Sequence, residues 1–191
     1  MKAIMIGGLL GGLMMFFWGF VAHMLLPLGD VGLLQATAPQ QEAVLATMHD
    51  NFPQGAGIYL LPMDKAAWED KAQAKAFGAR ALALPYAFVV YQPQGLDMMN
   101  DMSGNLIKEA LTNLLSALLA AYLASFAAVG FGRRVLLVTL LGVFGWLTNM
   151  VGMWNWYRFP GDFVLAGLVE GVVGWLLAGL LIAWSLRRFA R

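Results

Sequence analysis

Four stretches of the chain lack Lys, Arg, Asp and Glu over the length a helix needs to cross a bilayer, while a fifth follows the rules of a water-exposed segment. Residues 3–29, 110–132 and 135–157 are uncharged, and residues 163–186 are broken only by Glu170. A bilayer core takes about 20 mostly apolar residues per helix, so each stretch is long enough to span. The pattern predicts an all-α membrane protein, a four-helix transmembrane bundle. Its spans are residues 1–28 and, within 106–191, about 106–129, 135–156 and 162–186.

Residues 29–105 lie between the first two spans and hold five of the seven prolines, and Pro27 just before them is a sixth. Pro39 to Asp50 reads as a short helix with proline near its first turn. Gly57-Ile-Tyr-Leu-Leu-Pro62 and Tyr86-Ala-Phe-Val-Val-Tyr91 are β-branched and aromatic runs bounded by Gly and Pro, hence two strands. Between them, Asp64 is placed to cap a helix running to about Phe77. On that helix Lys65 and Glu69 would form an i,i+4 pair, and Trp68, Ala72 and Ala76 would share a face. The expectation is a small α+β extracytoplasmic insertion between helices 1 and 2. A lone hairpin is marginal in water, so it would rest on the bundle or on another chain.

Charge sets the orientation. Lys2, Arg133, Arg134, Arg187, Arg188 and Arg191 fall on one side with no acidic residue among them, while the other side holds all eleven acids and six bases. Short basic loops stay in the cytoplasm, so both termini are expected there. The uncharged 27 residues of the first span exceed the roughly 7–15 of a signal-peptide core. Ala36-Thr-Ala38 lies too far downstream for cleavage, which favours a retained anchor over a cleaved leader.

Composition narrows the function. The 191 residues are 60% hydrophobic and 12% charged, with net charge +1 and no cysteine; mean hydropathy is +0.68. A soluble domain, a disordered tail and a nucleic-acid binder are excluded, the last because no basic stripe exists. Disulfides, thiolate metal sites and cysteine nucleophiles are excluded too. Met98, Met99 and Met102 beside Asp97 and Asp101 have the make-up of a soft-metal site, but methionines at a membrane surface are more often apolar anchors. No metal and no cofactor are therefore expected. His49 beside Asp50 reads as a capping or exposed histidine.

The candidate site is a polar layer within the spans. His23 lies five residues below Leu28, Asn113 six beyond Ile107, Asn149 seven before Trp156 and Glu170 seven beyond Phe163. At 1.5 Å of rise per residue, all four fall roughly 8–10 Å below the outer boundary. Small residues share their stripes: Gly8, Gly12 and Gly19 with His23; Glu109, Ser116 and Ala120 with Asn113; Gly142, Gly145 and Gly152 with Asn149; Gly167, Gly174 and Ala178 with Glu170. Such faces pack helix on helix, so the four polar residues are expected to converge. They act either as hydrogen-bonded glue or as a proton or ligand site centred on Glu170 with His23 as its partner. Trp154, Trp156, Tyr157 and Arg158 read as an outer-interface belt, with an aromatic-walled quinone or lipid groove as the alternative, and Gly161-Asp162 is placed to cap the fourth span.

Trp18-Gly-Phe-Val-Ala-His-Met-Leu-Leu-Pro-Leu-Gly29 and Trp154-Asn-Trp-Tyr-Arg-Phe-Pro160, taken together, resemble a group of uncharacterised bacterial inner-membrane proteins with one span, an outer segment and three further spans. The resemblance covers nearly the whole chain. It implies that topology and a bacterial inner membrane, but no activity and no site residues.

With two histidines, no Gly-x-Ser-x-Gly, no P-loop and no His-Glu-x-x-His, an enzyme is not expected. The favoured function is a non-catalytic accessory or assembly subunit of a larger membrane complex, or a homo-oligomer. The alternative is a small proton-coupled carrier or ligand-binding module using His23, Asn113, Asn149 and Glu170. The partners expected are the lipid bilayer and other membrane-protein subunits or further copies of the chain, and no nucleic acid.

Overall fold

The computed structural model describes residues 1–97 and 100–189, a mostly helical chain with one two-stranded sheet. The chain divides into two compact units, Met1–Leu34 with Met98–Arg191, and Gln35–Asp97.

The first unit holds four helices: α1 (Lys2–Phe20, extended by a π-turn at Val21–Leu25), α4 (Ser103–Ser125), α5 (Phe131–Tyr157) and α6 (Gly161–Phe189). Each is long and apolar enough to cross a membrane, which fits a multi-pass membrane protein. The boundaries differ from the expected ones at the basic loop, where α4 stops at Ser125 and α5 starts at Phe131. Arg134 explains this. Its guanidinium donates to the carbonyls of Ala124 (3.2 Å) and Ala127 (2.8 Å), satisfying the orphan carbonyls at the end of α4.

The helices form a row more than a square. α1 packs along both α4 and α6, α5 packs along α6, and α4 meets α5 and α6 only briefly. The fully packed core lies at one end, where Ala3, Ala117, Ala120, Ala121, Ala124, Val138, Ile182 and Leu186 come together. Alanines let the backbones approach there, and the buried Ser185 hydroxyl donates to the Ala3 carbonyl at 2.8 Å. Two adjacent glycine pairs of α1 serve different neighbours. Gly8 and Gly12 abut Leu118 and Leu114 of α4, while Gly7 and Gly11 abut Ser185 and Ile182 of α6. Outward-facing Leu13, Phe17, Leu111, Leu115 and Leu165 are exposed along the helices.

The second unit is built as its sequence suggests, with one shift. In α2 (Ala38–Asn51) the Thr37 N–H and hydroxyl both donate to Gln40 Oε1, each at 3.0 Å, and Pro39 sits in the first turn. Strands β1 (Gly57–Leu61) and β2 (Ala87–Tyr91) pair antiparallel, Gly57 opposite Tyr91 and Leu61 opposite Ala87. Phe52 stacks on Tyr59 with centroids 3.9 Å apart and meets Tyr91 edge-on. The exposed His49 of the last α2 turn lies 3.5 Å from the Tyr91 hydroxyl, the outer limit of a hydrogen bond.

The expected helix from Asp64 is corrected. Asp64 accepts only the Ala66 N–H of a 3₁₀ turn (Ala66–Trp68), and α3 (Lys71–Ala81) begins afresh at Asp70, which accepts from Ala72 and Gln73 at 2.7 and 3.0 Å. Two aspartates compete as caps, and only Asp70 has both N–H groups in reach. Lys65 and Glu69 thus flank the short turn, where they form no ion pair among the described residues, and Trp68 is exposed, away from Ala72 and Ala76.

Just before α4, Asp101 accepts the Ser103 hydroxyl at 2.5 Å and its N–H at 3.1 Å. The hydroxyl bond, then the backbone bond, hold its pKa below the ordinary 3.8. A depressed folded-state pKa adds stability above the unfolded value, and this is lost as pH falls through the folded one. Carboxyl-carbon NMR is therefore expected to give Asp101 a midpoint under 3.8 that rises in Ser103→Ala; an unmoved midpoint would remove the hydroxyl as the cause.

Candidate functional site: an imidazole–carboxylate cleft

The site starts from Pro27. Proline has no N–H to give the His23 carbonyl and pushes its predecessor toward extended backbone. Leu26 accordingly leaves the helix at φ −109°, ψ 150°. The last turn widens, with the Leu26 N–H reaching back five residues to the Val21 carbonyl at 2.9 Å. His23 sits in this π-turn, a form often found at functional positions. The chain then folds over it as a 3₁₀ turn (Pro27–Asp30). Gly29 lies so close that a Cβ there would stand 2.3 Å from His23 Nδ1. Gly32, at φ +77°, turns the chain onto the start of α6, where its own Cβ would collide with Phe163. Asp162 is the second residue of α6, and its carboxylate accepts the Phe163 N–H at 2.8 Å.

Held between these elements, His23 Nε2 lies 3.0 Å from Glu170 Oε1, the side chains being 52% and 31% exposed. The distance needs a proton in the contact, on Nε2 or on the carboxyl. Trp18, five residues before His23, donates its indole N–H to the Glu170 carbonyl at 2.9 Å. It can do so because Gly174, one turn on, has no Cβ; one would lie 2.8 Å from the indole ring. Main chain and side chain of Glu170 are thus both fixed from α1.

Glu170 also lines a cleft of about 180 Å³ with Gly167 and Gly171 of α6, Met15, Trp18 and Gly19 of α1, and Glu109 and Asn113 of α4. The Asn113 amide donates to Glu109 Oε1 at 2.9 Å, one turn away on its own helix. Three of the four layer residues therefore gather on α1, α4 and α6: His23 on Glu170, and Asn113 in the cleft that Glu170 lines.

Asn149 is a correction. It is exposed and donates to Gly145 and Thr148 within α5, and α5 packs on α6 away from α1. Gly145 and Gly152 of its stripe face open space; the α5–α6 contact uses Gly142 under Trp175 and Gly179 against Val138, with the Trp146 indole donating to the Val164 carbonyl at 2.8 Å. Glu109, Trp18 and Gly29 carry as much of the site as Asn113 does, and local spacings pointed to them: Glu109 four before Asn113, Trp18 five before His23, Gly29 just past Pro27.

Trp154, Trp156, Tyr157 and Arg158 are exposed at the end of α5, where Arg158 closes the helix in the left-handed conformation (φ 57°, ψ 33°). A shallow pocket lies among Trp154, Asn155, Arg158 and Phe159. Met98 and Met99 lie outside the described residues; Met102 precedes α4 and is exposed. No group of three or more His, Cys, Asp or Glu side chains suited to a metal gathers among the described residues.

The fold and cleft define a class, a small helical protein of multi-pass membrane type with an imidazole–carboxylate pair between its helices. Compared with protein-family models, curated proteins and solved structures, the chain shows no match.

Proposed function

We propose that this chain is a proton-exchanging, ligand-binding module of a bacterial inner membrane, with both termini cytoplasmic and the Gln35–Asp97 unit outside. The one-sided distribution of Lys and Arg supports that orientation. The observation that carries the function is the His23–Glu170 contact, made by a carboxylate that also lines a cleft among α1, α4 and α6. Polar residues serving only as glue bond across closed seams. Here Glu109 and Asn113 bond to each other along one helix and leave the cleft open.

The pair gains or loses a proton, and the groups around it set the balance. Glu109 lines the same cleft from α4, Asp30 ends the turn above His23 and Asp162 opens α6. Lys108 pairs with none of them among the described residues. Infrared difference spectra recorded between about pH 5 and 9 test this. Wild type is expected to show a carboxyl band that Glu170→Gln removes. Identical spectra for the two proteins would end the proton-site reading.

A second reading, a non-catalytic accessory subunit or a homo-oligomer, is favoured by a different observation. The Gln35–Asp97 unit carries an apolar groove along Val44, Met48, Phe52 and Leu61, and its hairpin exposes Ile58 and Val90. Exposed apolar patches of this kind mark interaction surfaces. Native mass spectrometry of the chain extracted in mild detergent separates the two: stoichiometric foreign subunits support the accessory role, and a lone monomer removes it.

A further inference from the structure

We infer that the cleft takes an organic cation, a protonated amine with an apolar body, whose entry expels the proton shared by His23 and Glu170. The inference rests on the reading of the cleft as a ligand site and adds the ligand's chemistry. Two carboxylates, Glu109 of α4 and Glu170 of α6, line it. Among the described residues no Lys or Arg forms an ion pair with either; His23 is the one basic partner. A carboxylate at the depth of Glu170 is costly without a counter-charge, and a cation placed between Glu170 and Glu109 supplies one.

The remaining lining selects an organic cation over a bare metal. Met15 and the ring of Trp18 form an apolar wall, and aromatic faces attract ammonium groups. A metal would need more ligand side chains than converge here, since no group of three such residues exists among the described ones. At about 180 Å³ the cleft is smaller than the roughly 300 Å³ at which drug-sized sites begin. It holds an ammonium head and a short apolar body.

Two glycines keep the space open. A Cβ at Gly19 or Gly171 would meet no atom within 4 Å, although both residues line the cleft. Bulk added at either position is expected to take up cleft space without a clash at the Cβ. The exchange balances in charge: one ammonium ion enters, and one proton leaves the imidazole–carboxylate pair for solvent.

The test is isothermal titration calorimetry on the full chain in mild-detergent micelles with phenethylammonium chloride. The neutral isostere phenethyl alcohol and sodium chloride serve as comparison titrants, and two buffers of different ionisation enthalpy count released protons. Saturable binding of the amine with proton release is expected, at least tenfold tighter than the alcohol. Glu109→Gln, at an exposed position, is expected to weaken it about tenfold. Glu170→Gln should weaken it and stop the proton release, and Gly171→Leu should block binding while helical circular dichroism stays unchanged. Equal binding of amine and alcohol, or binding indifferent to Glu109→Gln and Gly171→Leu, overturns the inference. Proton release driven by sodium but not by the amine assigns the cleft to an inorganic cation and also overturns it. If the amine does not bind while the Glu170 infrared band persists, the ligand class alone is wrong; if both are missing, the proton site falls with it.

Discussion

Replacing Gly12 with alanine is expected to destabilise the helical unit by about 3 kcal/mol, the upper part of the range for forcing atoms into a packed interface. The new Cβ would stand 2.7 Å from Leu114 Cα, 3.1 Å from its nitrogen and 3.2 Å from the Asn113 carbonyl oxygen. All three are backbone atoms of α4, so no side-chain rotation relieves the clash and α1 must move off α4. Gly19, two turns along the same helix, has no neighbour within 4 Å. Alanine there is expected to be neutral or slightly stabilising, because glycine in a helix costs up to about 1 kcal/mol. Equilibrium unfolding in mixed detergent micelles checks both variants. Similar midpoints for Gly12→Ala and Gly19→Ala would mean that α1 and α4 are too far apart for a Gly12 Cβ to meet Leu114.

The second large effect is expected at Ile182, which is fully buried in a cluster made otherwise mainly of alanines. It lies over Gly11, where a Cβ would sit 3.1 Å from Ile182 Cδ1 and 3.3 Å from Ala117 Cβ, at the junction of α1, α4 and α6. Truncation to alanine leaves a cavity that methyl groups cannot fill. Ile-to-Ala changes cost roughly 2–5 kcal/mol in water-soluble cores. Lipid or detergent removes most of the transfer contribution and leaves lost packing, so about 2 kcal/mol is expected. The same unfolding series measures it, and Ile182→Val is expected to recover more than half the loss. No change in Ile182→Ala would place the strength of the unit outside the alanine-rich end.

Much of the secondary structure was legible because it depends on short-range pattern. Runs of more than 20 uncharged residues give long apolar helices, and Gly- and Pro-bounded runs around Tyr59 and Val89 give the hairpin. The misplaced start of α3 shows where local pattern fails. Asp64 and Asp70 are both good caps, and the choice between them depends on how the intervening turn closes. In the site, depth and polarity matched His23 with Glu170, and the adjacency of α1 and α6 brought them together. The π-turn beneath Pro27, the Trp18 bond to the Glu170 carbonyl and the seating of Gly29 on the imidazole each join residues whose contact depends on the exact path of the chain.

Asn149 marks the division between the two kinds of information. Counting along a helix fixes depth at about 1.5 Å per residue, and by that measure Asn149 is level with His23, Asn113 and Glu170. Periodicity fixes which residues share a face of one helix. Neither quantity says which helix stands next to which. The sequence by itself determined four apolar helices, a small α+β segment and the depth of each polar group. Only the tertiary structure decided that α1 lies between α4 and α6 while α5 packs behind α6. Interhelical order is set by the fit of small residues on one helix against side chains on another: Gly12 against Leu114, Gly174 under Trp18 and Gly142 under Trp175. That fit is a property of pairs of surfaces, which no single helix carries alone.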